Sequence, residues 1–424
     1  MKIIRYFCSV KDYNTILKTI CLSFFAIISI GIKAQNANMS AEEIPADSIL
    51  QQMDSVEISL LTCSPGQKIW SLYGHTAIRY EDKAHNVDLA INYGLFNFGQ
   101  KNFILRFVFG RTDYEMGIEP FNMFLLEYAK GGRGVVQQTL NLSREEKVAI
   151  TQAIALNYQP ENRVYRYNYF YDNCTTRARD ILTEHLNGKV EYKVNQSVKP
   201  TYRQMIHQWN ESHPWMSFGC DLLLGVGADR ETDFAQQQFL PDTLRKDFGE
   251  AMVVEPGGKK HALVDTTFTV LKVNEANADA NSNIWDTLTP WKVFLALFII
   301  TIAIAAIEYK RKKVFWLYDV VLLTLDGLAG LCLFAMIFSQ HPTVRVNLQI
   351  LILNPFSIVF AYSVGNSIIK GRYNKYWTFM LVCAVLAVIG CIFQNYADGM
   401  VLLACTLVIR CVINRIVYLR KNYK

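Results

Sequence analysis

Tyr169-Phe170-Tyr171-Asp172-Asn173-Cys174-Thr175-Thr176-Arg177 decides how this chain is read, because it places one cysteine where an aromatic run gives way to a helix. Upstream, Val164 to Tyr171 is β-branched and aromatic, the composition of a strand or an extended lead-in. Downstream, Ala178, Ile181, Leu182 and Leu186 recur at helical spacing, and Gly188 follows the last apolar residue as a C-cap would. Asp172 or Asn173 is the natural N-cap, which puts Cys174 in the first turn. There the free amide N–H groups and the positive end of the helix dipole favour thiolate over thiol, and Arg177 adds positive charge one turn on. The same N–H groups suit a developing oxyanion. The competing reading is a small buried cysteine at a helix start; exposure and a lowered pKa separate the two.

A nucleophilic cysteine needs a base within hydrogen-bond reach and a third group to orient that base. Trp70 to Tyr80 reads as a strand, with His75, Ala77 and Arg79 on one face and Thr76, Ile78 and Tyr80 on the other. His75 follows Gly74, which gives access, and is the expected base. The plainer alternative is a core histidine on a strand. His185 lies on the Cys174 helix about 16 Å away and is out of reach. A short strand from Asp88 to Gly94 brings Asn92 beside the His75 strand as the expected orienter. Arg79, Tyr171, Asn173 and Arg177 are the candidate substrate-binding residues around this group.

Cys63 is the rival nucleophile, at the end of a strand from Val56 to Leu61 and without a helix to lower its pKa. Cys63, Cys174 and Cys220 are the cysteines expected in the exported segment. An odd count permits a structural Cys63–Cys220 disulfide with Cys174 left free; other pairings, Cys174 included, stay open. No Cys-x-x-Cys or His-x-x-x-His spacing occurs, so no metal is expected, nor any cofactor.

The 424 residues are 51% hydrophobic and unevenly so, which excludes one soluble domain. The net charge of +6 sits at membrane flanks rather than on a stripe, and no nucleic-acid module is present. Residues 1–34 read as a signal peptide: a basic leader, an apolar run from Ile20 to Ile32, and cleavage after Ala34, with an uncleaved anchor as the alternative. Residues 35–289 form the exported domain, in which Ser143-Arg144-Glu145-Glu146 is a capping box opening a helix. Residues 290–424 form five membrane helices, Trp291–Ile307, Val314–Phe338, Leu348–Ile368, Tyr376–Phe393 and Met400–Ile416. Every other loop is basic, which puts the C-terminus in the cytoplasm and the first domain outside. Asp326 and Arg410, both deep in the helices, are expected to pair. His341, in an outer loop, is a candidate for seating a lipid headgroup.

The order of the motifs, Gly74-His75 on a strand and then Asn173-Cys174 opening a helix, resembles the circularly permuted papain-like proteins, among them NlpC-type hydrolases and the lecithin retinol acyltransferase group. Leu60 to Gly66, Tyr73 to Arg79, Asn92-Tyr93-Gly94, Tyr171 to Thr176, Ser339-Gln340-His341-Pro342 and Asn354-Pro355 are similar to the Lnb-type lipoprotein N-acyltransferase family. The resemblance implies an α+β permuted papain-like domain before a membrane bundle, Cys174 as nucleophile and His75 as base. It also implies an inner-membrane enzyme with a phospholipid acyl donor and a lipoprotein acceptor. The alternatives are an exported cysteine hydrolase, acting on cell-wall peptides or phospholipids, and a non-enzymatic membrane sensor.

Overall fold

The computed structural model describes residues 46–96, 99, 101–193, 199–274 and 287–422. The expected signal peptide and most of the polar linker before the membrane helices lie outside these residues. The first domain is built on strands β1 Val56–Cys63, β2 His75–Asp82, β3 Val87–Leu95, β4 Asp113–Pro120, β5 Val135–Leu140, β6 Val164–Arg166 and, much later in the chain, β10 Val264–Leu271. They form one sheet in the order β10-β5-β1-β2-β3-β4-β6, with every ladder antiparallel. A three-stranded sheet joins β7 Lys189–Glu191, β8 Met252–Val254 and β9 Lys260–Ala262.

The strand expected from Trp70 begins only at His75. Gly74, at φ 80°, turns the chain into the sheet, and a Cβ there would lie 2.7 Å from the Cys63 carbonyl oxygen. Only glycine fits that approach.

The helices of this domain are α1 Ala46–Gln52, α2 Phe103–Val108, α3 Phe121–Lys130, α4 Arg144–Tyr158, α5 Cys174–Thr183, α6 Tyr202–Asn210, α7 Pro214–Leu223, α8 Phe234–Gln237 and α9 Pro241–Glu250. The capping box of α4 forms as expected: Glu146 N–H donates to Ser143 Oγ at 3.2 Å and Ser143 N–H to Glu146 Oε2 at 2.8 Å. Helix α5 packs on β2 and β3, burying Ala178 and Leu182 with Ile58, Leu60, Ile78, Ile91 and Ile154. Full burial of each large aliphatic side chain contributes about 1.5–3 kcal/mol. The helix ends at Thr183, short of Gly188. Gly188 serves close approach instead, since a Cβ there would sit 2.6 Å from the Val254 carbonyl oxygen.

The C-terminal part holds five apolar helices, α10 Pro290–Arg311, α11 Trp316–Met336, α12 Phe356–Ile369, α13 Tyr376–Gly390 and α14 Met400–Asn422. Among the described residues four segments are long and apolar enough to cross a membrane: Pro290–Arg311, Trp316–Met336, Leu348–Ile369 and Met400–Arg420. Helix α13, at 15 residues, falls short of the expected fifth span. The third segment is broken, with a 3₁₀ turn at Leu348–Leu351 before α12, because Asn354-Pro355 removes a helical donor.

The expected Asp326–Arg410 pair does not form. Arg410 Nε donates to Asp319 Oδ1 at 2.6 Å and its Nη atoms to both oxygens of Glu308 at 2.6 and 3.0 Å, all three side chains fully buried. Asp326 lies two turns along α11 from Asp319, about 10 Å away, beyond a guanidinium already held at Asp319. It braces the broken helix instead: Asp326 Oδ2 accepts from Asn354 N–H at 3.2 Å and Ser357 Oγ at 2.5 Å. Sequence supplied the depth of these charges but not the register that pairs them.

The two parts are knitted together rather than merely tethered. Gly225 and Val226 donate their N–H groups to the carbonyls of Thr343 and Val346, each at 2.8 Å. Gln349 Nε2 donates to Asp221 O at 2.9 Å and Gln394 Nε2 to Leu224 O at 3.1 Å, both buried. Arg203, buried at the centre, bonds Asp221 and Asp229. The first domain is therefore held against the loops at one end of the bundle.

Candidate active site

Asn173 makes the local geometry. Its Oδ1 accepts from the N–H groups of Thr175 and Thr176, both at 2.9 Å, and Thr176 Oγ1 accepts from Asn173 N–H at 2.9 Å. Its Nδ2 donates to the carbonyls of Tyr169 and Phe239. With both donors and its acceptor used inside the protein, Asn173 positions Cys174 and does not offer itself to substrate. The N–H of Cys174 itself is at the first helical position, which has no intrahelical acceptor.

Cys174 is buried beside His75, which starts β2 and is half-buried. Burial pushes the thiol up, but it is outweighed by the His75 charge, a hydrogen bond with His75, the Thr76 N–H and the Thr175 hydroxyl, and the thiol falls to about 7. Burial likewise disfavours the His75 cation, and the Cys174 thiolate with the hydrogen bonds to Cys174 and Asn92 raises it nonetheless. His75 Nε2 donates to Asn92 Oδ1 at 2.9 Å, so Nδ1 is the nitrogen left for the thiol. Asn92 faces Ala77 in the β2–β3 register, as the strand alternation requires. Asn92 Nδ2 in turn donates to Glu119 Oε1 at 2.7 Å. The result is a chain of four groups, thiol, imidazole, amide and carboxylate.

Glu119 was not legible in sequence, because it lies 27 residues from Asn92 and meets it only through the β3–β4 ladder. Two expected contributors turn out to be occupied elsewhere. Arg177 is bound bidentately by Asp172 at 2.6 and 2.8 Å and lies over the Tyr165 ring, so His75 rather than Arg177 supplies the positive charge at sulfur. Arg79 is held by Asp88 at 2.8 and 2.9 Å and by Gln137 at 3.0 Å, and stacks on Phe121. Tyr171 is exposed and packs edge-on against Tyr202. His341 lies against Gly110 of the first domain, half-buried.

The rival nucleophile has the opposite surroundings. Cys63 is buried, burial pushes its thiol up to about 12 against the Tyr128 hydroxyl and Arg133, and it forms no disulfide. Cys220 is also free, with its sulfur 3.8 Å from the Tyr73 hydroxyl. No Cys63–Cys220 bridge exists, so Cys174 is distinguished by its lowered pKa and not by being the one cysteine left over.

Gly94, at φ 91°, completes the site. A Cβ there would lie 3.7 Å from both Cys174 Cβ and a ring carbon of Tyr167, so the glycine leaves a space of about one methyl group beside the Cys174 side chain.

Fold and site together define a membrane protein that carries an α+β domain with a cysteine–histidine–asparagine group. The chain belongs to the Lnb family: the Lnb N-terminal periplasmic domain matches residues 50–208 and the Lnb transmembrane domain matches residues 280–422. It is an inner-membrane protein of lipoprotein maturation whose N-terminal domain is periplasmic. No curated protein and no solved structure matches the chain.

Proposed function

We propose that this protein is a lipoprotein N-acyltransferase, with Cys174 as nucleophile, His75 as acid and base, and Asn92 as the residue that orients His75. The observation that carries the reading is the thiol lowered to about 7 at a helix N-terminus, against a histidine whose far nitrogen is fixed by an amide. This is the acid–base arrangement of papain-like enzymes, and the order of histidine strand before cysteine helix supports the permuted version of that fold.

In the first half-reaction the Cys174 thiolate attacks the carbonyl carbon of a phospholipid ester. The tetrahedral oxyanion faces the Cys174 N–H at the start of α5. Its collapse breaks the bond to the glycerol oxygen, which takes a proton from His75 Nδ1 and departs as lysophospholipid. In the second, the α-amine of a lipoprotein's N-terminal cysteine attacks the thioester. His75 removes a proton from that amine, the thiolate leaves, and an amide remains. Burial of Cys174 keeps water from the thioester, which would otherwise make the protein a phospholipase. The same reading has α13 crossing the membrane despite its length, with the C-terminus in the cytoplasm as the basic loops require. Contacts of Asn374 with Ser363 and Ser367 at one end, and of Gly390 with Leu348 at the other, support this.

The test is the intact mass of a purified lipoprotein from cells carrying wild-type or Cys174→Ser protein at equal membrane abundance. Loss of one acyl chain in the variant is expected. An unchanged mass would remove the reading in favour of a hydrolase acting on cell-wall peptides.

A further inference from the structure

Helix α2 exposes two large apolar side chains, Leu105 at 58% and Phe107 at 49%, and among the exposed apolar residues of this domain they are tied to the membrane part. Its position is set by the membrane part. Gln340 N–H donates to the Phe109 carbonyl at 3.0 Å, Arg166 Nη1 donates to Gln340 Oε1 at 3.3 Å, and Gly110 lies against His341 and Ser339. Gln340 is two residues past Phe338, which follows the end of α11 and is 62% exposed. Phe338 is two residues from Gln340 and Phe107 two from Phe109, each step reaching at most about 7 Å, so the hydrogen bond between Gln340 and Phe109 keeps Phe107 and Phe338 in the same neighbourhood. Lys101 and Arg111, exposed at the two ends of the α2 segment, suit phosphate headgroups at that height.

From the same helix a row of rings runs inward. Phe107 stacks with Phe103 at 6.5 Å, Phe103 with Phe96 at 6.4 Å, Phe96 meets Tyr114 at 5.1 Å, and Tyr114 stacks on Tyr167 at 4.1 Å. Tyr167 and Cys174 then flank the gap left by Gly94. Its centroid-to-centroid steps cover about 22 Å in all, enough path for an acyl chain, which fills about half of the roughly 30 Å hydrocarbon core.

We infer that α2 is a membrane-dipping lip, and that the aromatic row is the track along which one phospholipid acyl chain leaves the outer leaflet to lie beside Cys174. The track deepens the function proposed above and rests on it; the lip does not. The test uses the full chain in vesicles of phosphatidylethanolamine and phosphatidylglycerol. A benzophenone amino acid replaces Phe107, Phe338 as the lipid-facing control, or Phe268 on β10 as the exposed control. Illumination is followed by intact mass. Phospholipid adducts at 107 are expected to approach those at 338 and exceed those at 268 at least ~10-fold, as burial of an apolar face in the interface requires. Labelling at 107 no greater than at 268, with 338 labelled, overturns the lip.

A Leu105→Gln/Phe107→Gln variant is expected to lose at least ~10-fold in the rate at which Cys174 takes an acyl chain from vesicles, since apolar contacts position the donor. Its Cys174 alkylation by iodoacetamide, which reports folding, should persist. Undiminished acylation overturns the track. A wild-type protein that stays unacylated while position 107 labels would sink the proposed function and the track but keep the lip; acylation without labelling would sink the lip and keep the function.

Discussion

Two buried polar groups in this protein are built to opposite ends. In the membrane part, Arg410 is clasped by Glu308 and Asp319, and Asn414 Nδ2 donates to the second oxygen of Asp319 at 2.9 Å. Glu308 also accepts from the Phe315 N–H. Each charge is saturated by its neighbours, and the group faces nothing beyond itself. In the periplasmic part, Cys174, His75, Asn92 and Glu119 form an open-ended row, with Gly94 leaving space beside the Cys174 side chain. A saturated network locks helices and is inert. A row that ends on a thiolate with space beside it holds reactivity at the stability cost of one incompletely matched group.

That contrast breaks most visibly when each group loses its central member. Arg410→Leu leaves two carboxylates buried together and is expected to cost about 3–5 kcal/mol, read as lost folded yield in detergent. Cys174→Ser should leave yield and thermal midpoint unchanged while acyl transfer falls at least ~10³-fold.

His75→Ala sharpens the periplasmic side. Thiolate dominates above the Cys174 pKa and thiol below it, so wild-type alkylation should rise with pH through a midpoint near 7. Without His75, burial remains and its main opposing cause is gone. The midpoint should climb to the ordinary cysteine value of about 8.5 or beyond. A midpoint still near 7 would assign the lowered pKa to the Thr76 N–H, the Thr175 hydroxyl and the helix start.

Asn92→Ala should act more mildly, slowing acyl transfer about 10- to 100-fold by freeing the imidazole to rotate, with little change in folded yield. Glu119→Gln, which keeps a carbonyl acceptor for the Asn92 amide, should slow it less than Asn92→Ala. Smallest of all, Asp326→Asn is expected to lower stability by only about 1 kcal/mol, because an amide oxygen still accepts from Asn354 N–H and Ser357. A loss as large as that of Arg410→Leu would mean that Asp326 belongs to the saturated network after all.

What the sequence determined by itself is what depends on near neighbours. The Asn173 cap, the first-turn placement of Cys174, the capping box at Ser143, the alternation that turns Asn92 toward the His75 strand and the apolar runs after Pro290 are set within a few residues, by hydrogen bonds and periodicity. What only the tertiary structure decided is which distant groups meet. Strand register joined Glu119 to Asn92, helix register gave Arg410 to Asp319 and Glu308 rather than Asp326, and a surface ion pair with Asp172 withdrew Arg177 from the thiol. The outer loop around Gln340 fixed α2 against the bundle. Composition fixes which groups seek partners; the partner itself is set by three-dimensional distance, to which Coulomb and hydrogen-bond energies respond and which no local pattern encodes.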